Sequence, residues 1–119
     1  MDIRAEIKVV IKNGSSFLMG PGVFALLNAI NENSSVSEAT KSLQISYSKA
    51  WKMIREAEEG AGEALVIRST GGKGGGQSSL TEAADRLLKA YEATCEDLRL
   101  SAKKIAEKNF SNNQPQAKA

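Results

Sequence analysis

The sequence predicts a mainly α-helical domain with small β-hairpins, and three observations support that fold class. Two helical patterns follow one another across a very short connection. A strand pattern leads into a glycine cluster and returns within a few residues. Apolar residues then recur along one helical face almost to the end of the chain. Together these patterns predict a winged helix-turn-helix with a long C-terminal dimerisation helix.

The first predicted element is an N-terminal hairpin. Apolar and polar side chains alternate over residues 3–11, and this period of two predicts a strand with one buried face. The pair Asn13-Gly14 is a strong hairpin signal, and residues 16–19 supply the returning strand.

Two helices are predicted next. Pro21 lies between two glycines and suits the first turn of a helix, whose apolar stripe ends in the polar run 31–34. Ser35 and Glu38 are spaced as a capping box, so a second, short helix is expected to begin there and reach Leu43.

The third predicted helix begins at the N-cap Ser46 and ends at Gly60 and Gly62. The second and third predicted helices are joined by a very short connection, which is typical of a helix-turn-helix motif. The residues predicted to project outward near the start of this third helix are Ser48, Lys49, Lys52, Met53 and Arg55. A recognition helix needs short polar and cationic groups there for contacts with bases and phosphates. An ordinary solvated face is nearly as good an explanation. Trp51 lies on the apolar stripe and is predicted to anchor the core.

The glycine cluster at residues 70–79 follows a strand pattern at 65–69, and Ser79 and Leu80 can form the return strand. Such a loop is either a phosphate cradle or the tip of a wing. A nucleotide-binding P-loop needs Ser or Thr directly after its lysine, whereas Lys73 is followed by glycine. The spacing favours a wing tip that touches a nucleic-acid backbone, although a hairpin without a ligand remains possible.

Thr81 is a suitable cap for a long final helix. Part of this helix is expected to pack on the domain, and its far half is expected to meet a second copy of the chain. A helix folded back on its own core is the alternative. The candidate dimerisation residues are Leu87, Tyr91, Cys95, Leu98 and Ile105. These patterns divide the chain into a winged helix-turn-helix domain (1–80), a dimerisation helix (81–110) and a disordered tail (111–119).

Composition narrows the functional classes. The chain has 119 residues, a net charge of +2 and 41% apolar residues, which fits one globular domain. A single cysteine permits no intramolecular disulfide, and the lack of histidine excludes His-ligated metals and His-based catalytic triads. We therefore expect that the protein is not an enzyme and that it binds neither a metal ion nor a cofactor. Charges near the N-terminus and the lack of a long apolar run predict a cytoplasmic protein without a membrane partner.

Several motifs resemble the N-terminal DNA-binding domain of ModE-type molybdate-dependent transcriptional regulators. The resemblance covers about residues 3–95. The matching segments are Gly20-Pro21-Gly22, Ser46-Tyr47-Ser48-Lys49-Ala50-Trp51, Leu65-Val66, the glycine wing from Ser69 to Gly76, and Leu80-Thr81. The resemblance implies a homodimer on double-stranded DNA, with the helix from Ser46 in the major groove and the wing on the backbone. Full-length members carry molybdate-binding domains after the long helix, so molybdate is not expected to bind this chain.

The predicted function is that of a sequence-specific DNA-binding transcriptional regulator. Base contacts are assigned to Ser46, Ser48, Lys49 and Lys52. Backbone contacts are assigned to Tyr47, Arg55, Arg68, Thr70 and Lys73. Relatives often carry a second basic residue where this chain has Ser48, so the target sequence does not follow from the resemblance. The alternative is a winged-helix protein-interaction module without DNA binding.

Overall fold

A computed structural model describes residues 1–69 and 76–111. Both small sheets within these ranges are two-stranded and antiparallel. The elements are β1 (Ile11–Asn13), β2 (Ser16–Met19), α1 (Pro21–Asn33), α2 (Val36–Leu43), α3 (Tyr47–Ala61), β3 (Val66–Ser69), β4 (Gln77–Leu80) and α4 (Glu82–Ser111). The predicted fold class, mainly helical with two hairpins and a long last helix, is confirmed.

The strand predicted over residues 3–11 is wrong for most of its length. Residues 1–10 form no regular secondary structure, and β1 begins only at Ile11. An alternating pattern needs a neighbouring strand to supply backbone partners. In this chain the segment bonds to a side chain instead of a strand: the Tyr91 hydroxyl donates a hydrogen bond to the Val9 carbonyl at 2.8 Å. The hairpin turn itself is confirmed, with Gly14 at a φ of 63°.

The helix starts follow their predicted caps. Pro21 is the first residue of α1. The Ser35 hydroxyl accepts a hydrogen bond from the Glu38 amide at 3.1 Å and opens α2. Gln44 ends α2 in the left-handed conformation with a φ of 57°, which turns the chain sharply into α3. The turn between the two helices therefore begins at a left-handed residue, and Ile45 and the cap Ser46 complete the connection.

The core lies between the first three helices and the start of α4. Its fully buried side chains include Leu26, Leu27, Ile30, Ile54 and Leu65. The N-terminal hairpin covers one side, where α3 lies against β2.

Two glycines that were both predicted to end α3 have different tasks. Gly60 lies inside the helix, where any β-carbon would collide with the Phe17 carbonyl of β2. Gly60 therefore permits close approach of the two elements. Gly62 ends the helix in the left-handed conformation, with a φ of 74° and its amide bonded to the Glu58 carbonyl.

The β3–β4 hairpin is tied to the domain at its base. Its register pairs Val66 with Leu80 and Ser69 with Gln77. The Ser78 amide donates to the Ser34 carbonyl at 2.9 Å, which joins β4 to the corner between α1 and α2. The hairpin thus extends from the domain as a wing beside α3.

Thr81 caps α4 as predicted, because its hydroxyl accepts from the Ala84 amide at 3.1 Å. The helix has 30 residues and is therefore about 45 Å long. Its buried residues are confined to its first third and end at Tyr91. The far half projects from the domain, and the molecule measures 71 × 29 × 20 Å. Ser111 is helical, and the predicted tail beyond it lies outside the described residues.

Candidate nucleic-acid interface

The exposed face of α3 carries the residues predicted to contact bases. The Ser46 hydroxyl accepts from the Lys49 amide at 3.1 Å, so this serine caps the helix. Ser48, Lys49 and Lys52 are exposed and line one shallow groove together with Ser46. The opposite face is buried in the core. The structure thus places all four predicted base-contacting residues on one accessible surface.

Trp51 connects this helix to the wing. The guanidinium carbon of Arg55 lies 5.6 Å from the centre of the indole ring, and that of Arg68 on β3 lies 5.3 Å from it. Both distances are within the range of cation–π attraction. Tyr47 meets the same ring edge-on at 6.4 Å and is 46% exposed. Three predicted backbone-contacting residues therefore surround one aromatic side chain.

Trp51 does more than anchor the core, which is the role that the sequence predicted for it. The indole is half-buried against the core, as expected of an anchor, but it also supports two arginines. The spacing of Arg55 four residues after Trp51 was a usable signal for one contact. No local signal connects Arg68 to the same ring, because only the fold brings β3 to α3.

Met53 was also predicted to project outward from α3. It is half-buried, and its methyl group lies over Gly22 at the start of α1. The polar face of α3 is therefore narrower than the sequence pattern indicated.

The four cations of this surface are Lys49, Lys52, Arg55 and Arg68. Within residues 1–69 and 76–111, none of them forms an ion pair. The ion pairs of the same ranges lie in the N-terminal segment, on α2, along α4 and between Glu63 and Arg86. These four side chains are therefore available to an anionic partner, and Glu56 is the acidic residue that lines the groove beside Lys49 and Lys52.

The wing and the start of α2 border a second, polar groove. Ser35, Ser37, Lys41, Arg68 and Gln77 contribute to its lining. Tyr47 and Arg68 both line this groove, so it adjoins the surroundings of Trp51. Two further predicted contacts, at Thr70 and Lys73, lie outside the described residues.

The residues predicted to mediate dimerisation fall into two groups. Leu87 and Cys95 are partly buried against the core, and Tyr91 is only 6% exposed. The pKa of Tyr91 is raised to about 12. Burial is the largest cause, and hydrogen bonding and electrostatic interaction with Cys95 add to it. Leu98 and Ile105, in contrast, are 41% and 59% exposed.

The described part of the chain contains no group of three or more acidic, cysteine or histidine side chains that could hold a metal ion. None of its helices combines the length and the apolar character that crossing a bilayer requires.

The closely joined helices α2 and α3 and the wing beside α3 define a helix-turn-helix domain of the winged type. The family described as "Bacterial regulatory helix-turn-helix protein, lysR family" matches residues 23–85, from α1 to the first turn of α4. The chain belongs to this family.

The predicted resemblance to ModE-type regulators is also confirmed. The chain is 38% identical over 90 residues to the transcriptional regulator ModE of Yersinia pestis, a match that covers 76% of this chain and 34% of that protein. The DNA-binding transcriptional dual regulator ModE of Escherichia coli (strain K12) is 37% identical with the same coverage. The molybdenum transport protein ModE of Herbaspirillum seropedicae is 36% identical over 75% of this chain and 31% of its own length. The chain thus spans about a third of the length of these relatives.

Proposed function

We propose that this chain regulates transcription by binding double-stranded DNA as a homodimer, with α3 in the major groove and the β3–β4 wing on the backbone. The observation that carries the proposal is the group of four cations on α3 and β3, none of which is ion-paired in the residues that the structure describes. Duplex DNA carries negative charge along its phosphates, with which these cations can pair.

The roles of individual residues follow from their positions. Ser46, Ser48, Lys49 and Lys52 are assigned to base edges, because they line the exposed groove of the recognition helix. Tyr47, Arg55 and Arg68 are assigned to phosphates, because they lie where α3 meets the wing. Thr70 and Lys73 belong to the same proposal as contacts of the wing tip.

Dimerisation is assigned to the far half of α4. Four large apolar side chains are exposed there: Leu98, Leu100, Ile105 and Phe110. A projecting helix with such residues is poorly suited to stand alone in water. Residues 82–97 carry five acidic and two basic residues, whereas residues 98–111 carry one acidic and four basic residues. Two copies of α4 therefore complement each other best when they lie antiparallel.

The test is a selection of genomic DNA fragments by the purified chain, followed by affinity measurements on the selected fragment. Lys49→Ala combined with Lys52→Ala is expected to weaken binding by about 2 kcal/mol or more, since each base or phosphate contact contributes about 1–3 kcal/mol. Lys8→Ala combined with Lys12→Ala is the matched control, because it removes the same charge from exposed positions outside α3. Equal losses in both variants, or affinity independent of salt, would contradict the proposal.

The same selection decides two further points. Molybdate is expected to leave the affinity of this chain for DNA unchanged, so the selection is run with and without it. The alternative function, a winged-helix protein-interaction module without DNA binding, predicts that no DNA fragment is enriched. The polar face of α3 supports DNA over such a partner, because interface cores are depleted in lysine.

A further inference from the structure

We infer that Trp51 is a positioning residue: it holds Arg55 and Arg68 in place for the DNA backbone and couples the wing to the recognition helix. The inference rests on the proposed DNA-binding function. It gives a role in that function to Trp51, which is not itself assigned to contact bases.

The first observation is that two elements share one ring. Arg55 belongs to α3 and Arg68 to β3, yet both guanidinium carbons lie within 6 Å of the centre of the Trp51 ring. Two like charges beside one ring repel each other, and an anion that lies near both offsets this repulsion. Neither arginine forms an ion pair in the described ranges, so a DNA phosphate is the fitting third member.

The second observation is the orientation of the indole. Its Nε1 atom is buried and has no hydrogen-bond partner among the described residues. A buried donor without a partner is costly, so hydrogen bonding does not account for this orientation. In this orientation the ring contacts Arg55, Arg68 and Tyr47.

Positioning matters because an arginine side chain has many rotamers. A guanidinium that is already stacked before DNA arrives loses less conformational freedom on binding. The contact also joins the wing to α3, since Arg68 lies on β3 next to its last residue, Ser69. Trp51 thus prepares both elements to meet the backbone together.

The contact can be tested in the free protein, because Trp51 is the sole tryptophan of the chain and its fluorescence is unambiguous. Arg68→Met is expected to increase quenching by acrylamide, since it removes the guanidinium that covers the ring. Arg86→Met is the matched control, because Arg86 is an exposed arginine that pairs with Glu63 instead. Unchanged quenching in Arg68→Met would overturn the inference.

The role in binding is tested with a double-mutant cycle on a mixed-sequence duplex. Trp51→Leu is expected to lower affinity about tenfold through loss of two cation–π contacts, and to flatten the dependence of log affinity on log salt. Trp51→Phe, which keeps an aromatic ring, should retain most of the affinity. Arg68→Met should cost several-fold in the native background and less than twofold in Trp51→Leu. Equal costs in both backgrounds would overturn the inference.

The outcomes separate the inference from the function on which it rests. If the native chain binds no duplex even at low salt, the proposed function fails and the positioning role fails with it. If the native chain binds and the cycle shows no coupling, only the inference fails. If circular dichroism shows that Trp51→Leu does not fold, the quenching result for Arg68→Met decides, because Arg68 is exposed.

Discussion

Replacing Tyr91 with phenylalanine is expected to have opposite effects on stability at neutral and at alkaline pH. The Tyr91 hydroxyl donates to the Val9 carbonyl at 2.8 Å and lies in a largely buried position on α4. At neutral pH the loss of this hydrogen bond is expected to lower the free energy of unfolding by about 1 kcal/mol.

The alkaline effect follows from the pKa of the same hydroxyl. In the folded chain this pKa is raised from 10.0 to about 12, first by burial and then by Cys95. The unfolded chain therefore loses the proton first, so the native protein loses stability as pH rises above about 10 and continues to do so until about 12. The full difference corresponds to about 2.7 kcal/mol, and about half of it is lost near pH 11. Phenylalanine has no such proton.

The two effects together predict a crossover. Tyr91→Phe should be less stable than the native chain at neutral pH, equally stable just below about pH 11, and more stable above it. Urea unfolding followed by circular dichroism at a series of pH values measures both proteins, and the titration of groups remote from Tyr91 cancels in the difference. The matched control is Tyr47→Phe, which alters an exposed tyrosine and should show no crossover. A constant difference between Tyr91→Phe and the native chain across this range would refute the reasoning.

Three other substitutions test packing, capping and assembly. Gly60→Ala should lower the free energy of unfolding by about 1–3 kcal/mol in urea, because the new methyl group collides with the backbone of β2; unchanged stability would contradict that close approach. Ser46→Ala should cost about 1 kcal/mol of stability through loss of the cap, whereas Ser48→Ala should leave stability unchanged and alter only DNA selection. Leu98→Glu should shift the chain toward monomers in analytical ultracentrifugation, whereas Ala93→Glu, which adds the same charge elsewhere on exposed α4, should not.

Much of the fold could be predicted because its signals are local. The caps Ser35, Ser46 and Thr81 each bind an amide three residues ahead, so a short window of sequence contains both partners. The turn at Gly14 is equally local. The polar residues of the recognition helix could be predicted for the same reason, since helical spacing alone places them on one face.

The errors arose where the partner is distant in the chain. The alternation at residues 3–11 predicted a strand, but residues 1–10 do not pair with a neighbouring strand in the fold. The Tyr91 hydroxyl donates a hydrogen bond to this segment instead. Gly60 was predicted to end α3, but it lies inside the helix and permits close approach to the backbone of β2. A pattern within one segment carries no information about which element will pack against it.

The sequence by itself determined the helices, their starts, the wing hairpin and the cationic face of α3, because caps, turns and periodicity act between near neighbours. Only the tertiary structure decided that Arg55 and Arg68 share the ring of Trp51, that Tyr91 is buried, and that Leu98 is exposed. Those properties depend on contacts between residues far apart in sequence, and such contacts exist only once the whole core has formed.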